Sequence, residues 1–168
     1  MDALPVAEAR GYAIWHNDTC HVAEGDLSEV GDIVRNLGGF GLVPARTAGQ
    51  LRELLRSGLP VASLSAMASA FGLEPAAITA VLRIPARTLA RRKHQRRLSP
   101  EESDRLFRLS RVATLAEDVL GDRPRAASWL HAANRELGGA TPLSRLDTDL
   151  GAEEVEATLL RLSHGVIG

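Results

Sequence analysis

Seven lysine and arginine side chains stand between Arg83 and Arg97, with no acidic residue among them. Guanidinium and ammonium groups at this density bind phosphate oxygens, and a well-oriented arginine also pairs with the O6 and N7 acceptors of guanine. The segment Ile84-Pro-Ala-Arg-Thr-Leu-Ala-Arg-Arg-Lys93 sets Pro85 at the start of a helix predicted over Ala86 to His94. With Leu89 as the buried anchor, the 100° step of a helix turns Arg87, Thr88 and Arg91 outward together, as candidates for reading base edges. Arg92, Lys93, Arg96 and Arg97 follow them as candidates for holding phosphates, contacts that add affinity with little sequence preference.

Other chemistries find less support. His16, Cys20 and His21 cluster, but no fourth ligand and no metal-site spacing accompanies them, and a single cysteine forms no internal disulfide. Gly138-Gly139-Ala-Thr141 has the glycines of a phosphate loop without the preceding strand or the Lys-Ser/Thr that completes one, and suits a helix stop followed by a Thr141-Pro142 cap. There is no His-Glu-x-x-His, no nucleophile elbow and no Ser, His and acid at spacings that would bring them together. No metal, no cofactor and no catalytic activity are expected of this chain.

The elements that position the basic segment follow from composition and periodicity. Hydrophobic residues make up 45% of the 168 positions, aromatics only 4%, and leucine, alanine and arginine dominate, which predicts an all-α fold. The formal net charge of −1 conceals a separation. The basic stretch is followed by an acidic region, Val112 to Gly168, with five Lys/Arg against nine Asp/Glu. No apolar run is long enough to cross a bilayer, no secretory signal pattern opens the chain, and a cytoplasmic location with no membrane partner is expected.

Three short helices in succession are predicted over Ser63–Phe71, Pro75–Leu82 and Pro85–His94, the outline of a helix-turn-helix whose last helix lies in the major groove. Arg83 occupies the turn position that glycine usually fills, so that turn must avoid or tolerate a positive φ. Thr47 to Ser57 reads as a structural helix, with Leu51, Leu54 and Leu55 on one face. Ser99-Pro-Glu-Glu102 is a capping box that opens the longest helix, carrying Leu106, Leu109, Val112, Ala113 and Ala116 inward up to Gly121. Further helices are predicted at Pro124–His131, from Pro142, and over Leu150–Ser163, where Glu153, Glu154, Glu156 and Arg161 face water; Trp129 is read as core. An isolated helical pattern, Leu27 to Leu37, belongs to an N-terminal extension of residues 1–45; a helix-turn-helix domain takes 46–107 and a C-terminal domain 108–168.

From Leu51 onward the chain resembles the Xre/MbcA/ParS antitoxins, partners of RES-domain toxins. The resemblance rests on an ordered set: Gly58-Leu-Pro60, Arg87-Thr-Leu-Ala-Arg-Arg-Lys93, Leu98-Ser-Pro-Glu-Glu-Ser-Asp-Arg-Leu106, Gly121-Asp122, Trp129-Leu130, Leu137-Gly-Gly-Ala-Thr-Pro-Leu143, Gly151-Ala-Glu-Glu-Val-Glu156 and His164-Gly-Val166. It implies a type II antitoxin with an Xre-like helix-turn-helix domain that binds operator double-stranded DNA as a transcription repressor. It also implies a C-terminal domain that covers the active site of an NAD-degrading RES toxin, and a homodimer within the toxin-antitoxin complex. The tail His164, Gly165, Val166, Ile167 and Gly168, short, apolar and glycine-bounded, is the expected toxin-blocking segment. Read from the residues alone, two alternatives stay open: a regulator whose C-terminal domain senses a ligand or dimerises, and an adaptor that never touches DNA.

Overall fold

The computed structural model describes residues 14–16, 19–21 and 27–165. Nine α-helices are present among them: α1 (Leu27–Asn36), α2 (Ala48–Ser57), α3 (Ala62–Phe71), α4 (Pro75–Val81), α5 (Ala86–Gln95), α6 (Pro100–Leu120), α7 (Arg123–His131), α8 (Pro142–Arg145) and α9 (Asp149–Ser163). A 3-10 turn, Arg135–Leu137, separates α7 from α8. A two-stranded antiparallel hairpin, β1 (Ile14–His16) and β2 (Thr19–His21), pairs Trp15 with Cys20 ahead of α1. The sequence reading of that stretch had no strand in it.

Local chemistry sets most helix starts. Thr47, Asp122, Thr141 and Thr148 each accept a backbone N–H of the first turn through the side chain, and each such cap stabilises by about 1 kcal/mol. The capping box ahead of α6 is complete: Ser99 Oγ accepts from Glu102 N at 3.2 Å, and the Ser99 N–H donates to Glu102 Oε2 at 2.7 Å.

Helix α6 is the spine on which α1, α2, α7 and α9 pack. Leu106, Leu109, Val112, Ala113 and Ala116 are buried along it, while Val119 and Leu120 at its end are only partly covered. Because α6 runs without a break from residue 100 to 120, a division at 107/108 falls inside one helix, and the buried residues form one continuous core. The segment read as an N-terminal extension contributes to that core. Val30, Ile33 and Val34 of α1 and Leu37 just after it are buried, Asn36 Nδ2 donates to Thr114 Oγ1 at 2.9 Å, and Ser110 Oγ donates to the Ile33 carbonyl at 3.2 Å.

The ends of α2 and α5 meet at Gly58. Its φ of 92° is in the left-handed region, and a Cβ there would lie 2.2 Å from the Leu98 carbonyl oxygen. Only glycine lets the two backbones approach this closely. Gly151, in the first turn of α9, has the same role against the Arg145 carbonyl, 2.0 Å from where a Cβ would stand. No single helix among the described residues is long and apolar enough to cross a membrane.

Candidate nucleic-acid interface

Helix α5 is the basic helix anticipated from sequence, and it has no fully buried residue. Leu89, Thr88 and Arg92 are half-buried and define its inner side, whereas Ala86, Arg87, Ala90, Arg91, Lys93 and His94 are exposed. The outward row is therefore Arg87, Ala90, Arg91 and His94, at i, i+3, i+4 and i+7. Thr88 does not project with Arg87 and Arg91 as expected, because it shares the side of Leu89 and Arg92. Ala90 and His94 take their place in the row. The turn into α5 tolerates the positive φ: Arg83 has φ 52°, with its N–H on the Ala80 carbonyl and the Ile84 N–H on the Thr79 carbonyl.

Two of the expected phosphate-binding arginines have internal partners. Arg92 Nε donates to Glu102 Oε2 at 2.7 Å, with the two side chains 18% and 9% exposed, so Arg92 is a strut between α5 and α6 and not a free cation. Glu102 thus caps α6 and anchors α5 with one carboxylate. Arg97 donates through Nη1 to the Gly58 carbonyl at 2.8 Å, closing the junction of α2 with α5. Lys93 and Arg96 remain exposed, and no partner for either side chain is found among the described residues. Arg96 ends α5 with φ 59°, also left-handed.

Helix α2, read from sequence as structural, adds Arg52 and Arg56. Leu51 is buried and Leu54 and Leu55 are half-buried, which leaves Arg52 and Arg56 exposed at i, i+4 spacing. The spacing itself was visible in the sequence. What was not visible is that α2 ends against the end of α5.

In the C-terminal region, α9 packs on α6 through Ala152, Val155 and Leu159. Glu153, Glu154 and Arg161 are exposed as expected, but Glu156 does not face water. It accepts from Arg111 Nη2 at 2.5 Å, with the side chains 21% and 11% exposed, and its burial pushes the carboxyl above the usual range despite the nearby guanidinium. Arg108 pairs with Asp149 and Arg161 with Glu136, tying α9 further. Arg83, in the turn before α5, pairs with Asp147 between α8 and α9, and Arg105 donates to the Leu82 carbonyl at 3.0 Å. Gly138 and Gly139, both left-handed, close the 3-10 turn ahead of the Thr141 cap, and Trp129 is partly buried against the core. His164 is an exposed C-cap of α9 and Gly165 follows with φ 67°; Val166, Ile167 and Gly168 lie outside the described residues.

Residues 50–111 match the family model of the antitoxin Xre-like helix-turn-helix domain, and residues 115–165 match that of the antitoxin Xre/MbcA/ParS C-terminal toxin-binding domain. Among curated proteins, an Antitoxin Xre of Yersinia enterocolitica is 35% identical over 126 residues, 74% of this chain and 85% of the relative. An Antitoxin Xre of Photorhabdus laumondii is 32% identical with the same coverage. One from Pseudomonas putida is 39% identical over 83 residues, 49% of this chain and 52% of the relative.

Proposed function

Because the chain belongs to the Xre antitoxin family, we propose that it neutralises an NAD-degrading RES-domain toxin through its C-terminal region and represses its own operon by binding operator DNA. The observation that carries this reading is the union, in one chain, of a helix-turn-helix match with exposed cations that have no partner among the described residues and a toxin-binding match whose helix ends in the exposed His164 and Gly165.

In this reading Arg87 and Arg91 contact base edges, Ala90 brings the helix close to the groove floor, and Lys93 and Arg96 hold phosphates. The chain acts as a homodimer, so that two α5 helices meet successive major grooves about one helical turn apart. Its own role is binding, with no catalytic step. On the toxin side, α9 presents His164 and Gly165 and the residues after them to the toxin's cleft.

Co-expression with an adjacent RES-domain reading frame tests the pairing: growth arrest by the toxin alone, relieved by this protein and accompanied by co-purification, is the expected result. A neighbouring frame of another toxin class, neutralised equally well, would replace the RES assignment. Removing residues 164–168 should abolish relief of growth arrest; full protection by the shortened protein would refute the tail as the blocking segment. Loss of reporter expression from the upstream promoter when this protein is supplied tests autorepression.

A further inference from the structure

We infer that α2 is a second phosphate-binding surface, on which Arg52 and Arg56 hold the DNA backbone together with Lys93 and Arg96 while the outward row of α5 faces the groove. The inference rests on the operator-binding reading above and adds to it a helix outside the basic segment.

Three observations converge. First, Arg52 and Arg56 are exposed one turn apart on α2, and among the described residues neither has a counterion. Like charges at this spacing disfavour a helix by a few tenths of a kcal/mol, a repulsion that a bound anion removes. Second, the end of α2 is stitched to the end of α5. The Arg97 guanidinium binds the Gly58 carbonyl, the Leu98 N–H donates to the Leu59 carbonyl at 2.9 Å, and the Val61 N–H donates to the Arg96 carbonyl at 3.2 Å. Arg56, two residues before Gly58, and Arg96, one residue before Arg97, therefore flank the same junction. Third, the segment is predominantly basic, although Arg83, Arg92 and Arg97 within it have internal partners. From Thr47 to Pro100 there are nine Lys/Arg and only two acids, Glu53 and Glu74.

Arg96 strengthens the case. Every left-handed backbone position among the described residues is glycine except Arg83 and Arg96. A non-glycine residue there costs about 1 kcal/mol or more, which a working side chain offsets. Arg83 has its carboxylate in Asp147, whereas among the described residues no such group meets Arg96. A polyanion with a phosphate every few ångströms supplies what this row lacks.

The test uses the full chain and two labelled duplexes, one spanning the region upstream of the gene and one of scrambled sequence, titrated across a salt series. Wild-type protein binding neither duplex would remove the operator-binding reading, and this inference with it. If wild type binds, Arg52→Gln/Arg56→Gln should lower the slope of log affinity against log salt by about 2, and weaken both duplexes alike by roughly 30-fold near 0.15 M salt. Arg52→Lys/Arg56→Lys should restore the slope. Wild-type binding with an unchanged slope in the glutamine variant overturns the inference alone. So does an equal loss in Arg135→Gln, which removes from the 3-10 turn beside α9 an exposed cation with no partner among the described residues. An altered elution volume of the glutamine variant with its DNA slope intact would make the patch a contact between copies, and would equally overturn it.

Discussion

Between Thr47 and Arg97, the side chains of Arg52, Arg56, Arg87, Arg91, Lys93 and Arg96 stand exposed with no counterion among the described residues. Between Arg105 and Arg161, by contrast, only Arg135 is in that condition. Arg108, Arg111, Arg123, Arg125 and Arg161 pair with carboxylates, and Arg105 and Arg145 donate to carbonyls. The same residue type cross-links helices in one half and is left available in the other. Fixing a long side chain in an internal pair costs rotamer entropy and removes it from outside partners. In the proposed reading the free cations of the helix-turn-helix half are the interaction surface, and the paired ones behind it are scaffold. Arg83, Arg92 and Arg97 are the exceptions within the basic half, where they hold α5 to the rest of the molecule.

The largest effect that sharpens this comparison is on the scaffold side. Arg111→Ala leaves Glu156 without its guanidinium in a largely covered site, and should lower folding stability by about 3 kcal/mol, read from urea unfolding midpoints. Adding Glu156→Gln should recover most of the loss. A single variant within about 0.5 kcal/mol of wild type would mean that this pair does not act as a cross-link.

On the interaction side, Arg87→Ala or Arg91→Ala should each weaken operator binding by about 1–3 kcal/mol and relax base preference. Their unfolding midpoints should stay at the wild-type value. A fall in stability matching the fall in binding would move these residues to the scaffold class.

Arg96→Gly is expected to move the two properties in opposite directions. Relief of the left-handed conformation should stabilise the fold by about 1 kcal/mol, while the salt slope of DNA binding falls by about 1. Two properties declining together would refute the idea that Arg96 is strained for the sake of a partner.

The smallest effect concerns pH. Burial raises the Glu156 carboxyl above its ordinary value of 4.5, so in that window the folded chain holds more of this proton than the unfolded chain. The contribution of Glu156 to stability therefore declines as pH rises from 4.5 through its raised pKa. Unfolding midpoints across this range should show a shallower decline in Glu156→Gln; identical profiles would mean that the paired carboxylate titrates as if exposed.

Much of the fold was legible in the residues. The capping box at Ser99 and Glu102, the cap at Thr141 and the stripe from Leu106 to Ala116 act within one helix, so spacing along the chain is enough to read them. The functional face was legible only in part. Arg92 carries the same charge as Arg91, but its position one step around α5 turns it toward Glu102. Glu156 followed two exposed glutamates in a polar row, yet meets Arg111 from α6. Thr88 seemed outward until the packing of α5 set its inner side. In each case the deciding partner lies on another helix.

By itself, the sequence determined that this is a helical protein with a basic helix after a tight turn and an acidic region behind it, since charge, capping and hydrophobic period are properties of neighbouring residues. Tertiary structure alone decided which cations are free. An arginine becomes strut or contact according to whether a carboxylate or carbonyl reaches it through space. That choice tied Arg92 and Arg97 inward and left Arg52 and Arg56, on a helix that had looked merely structural, facing out beside α5.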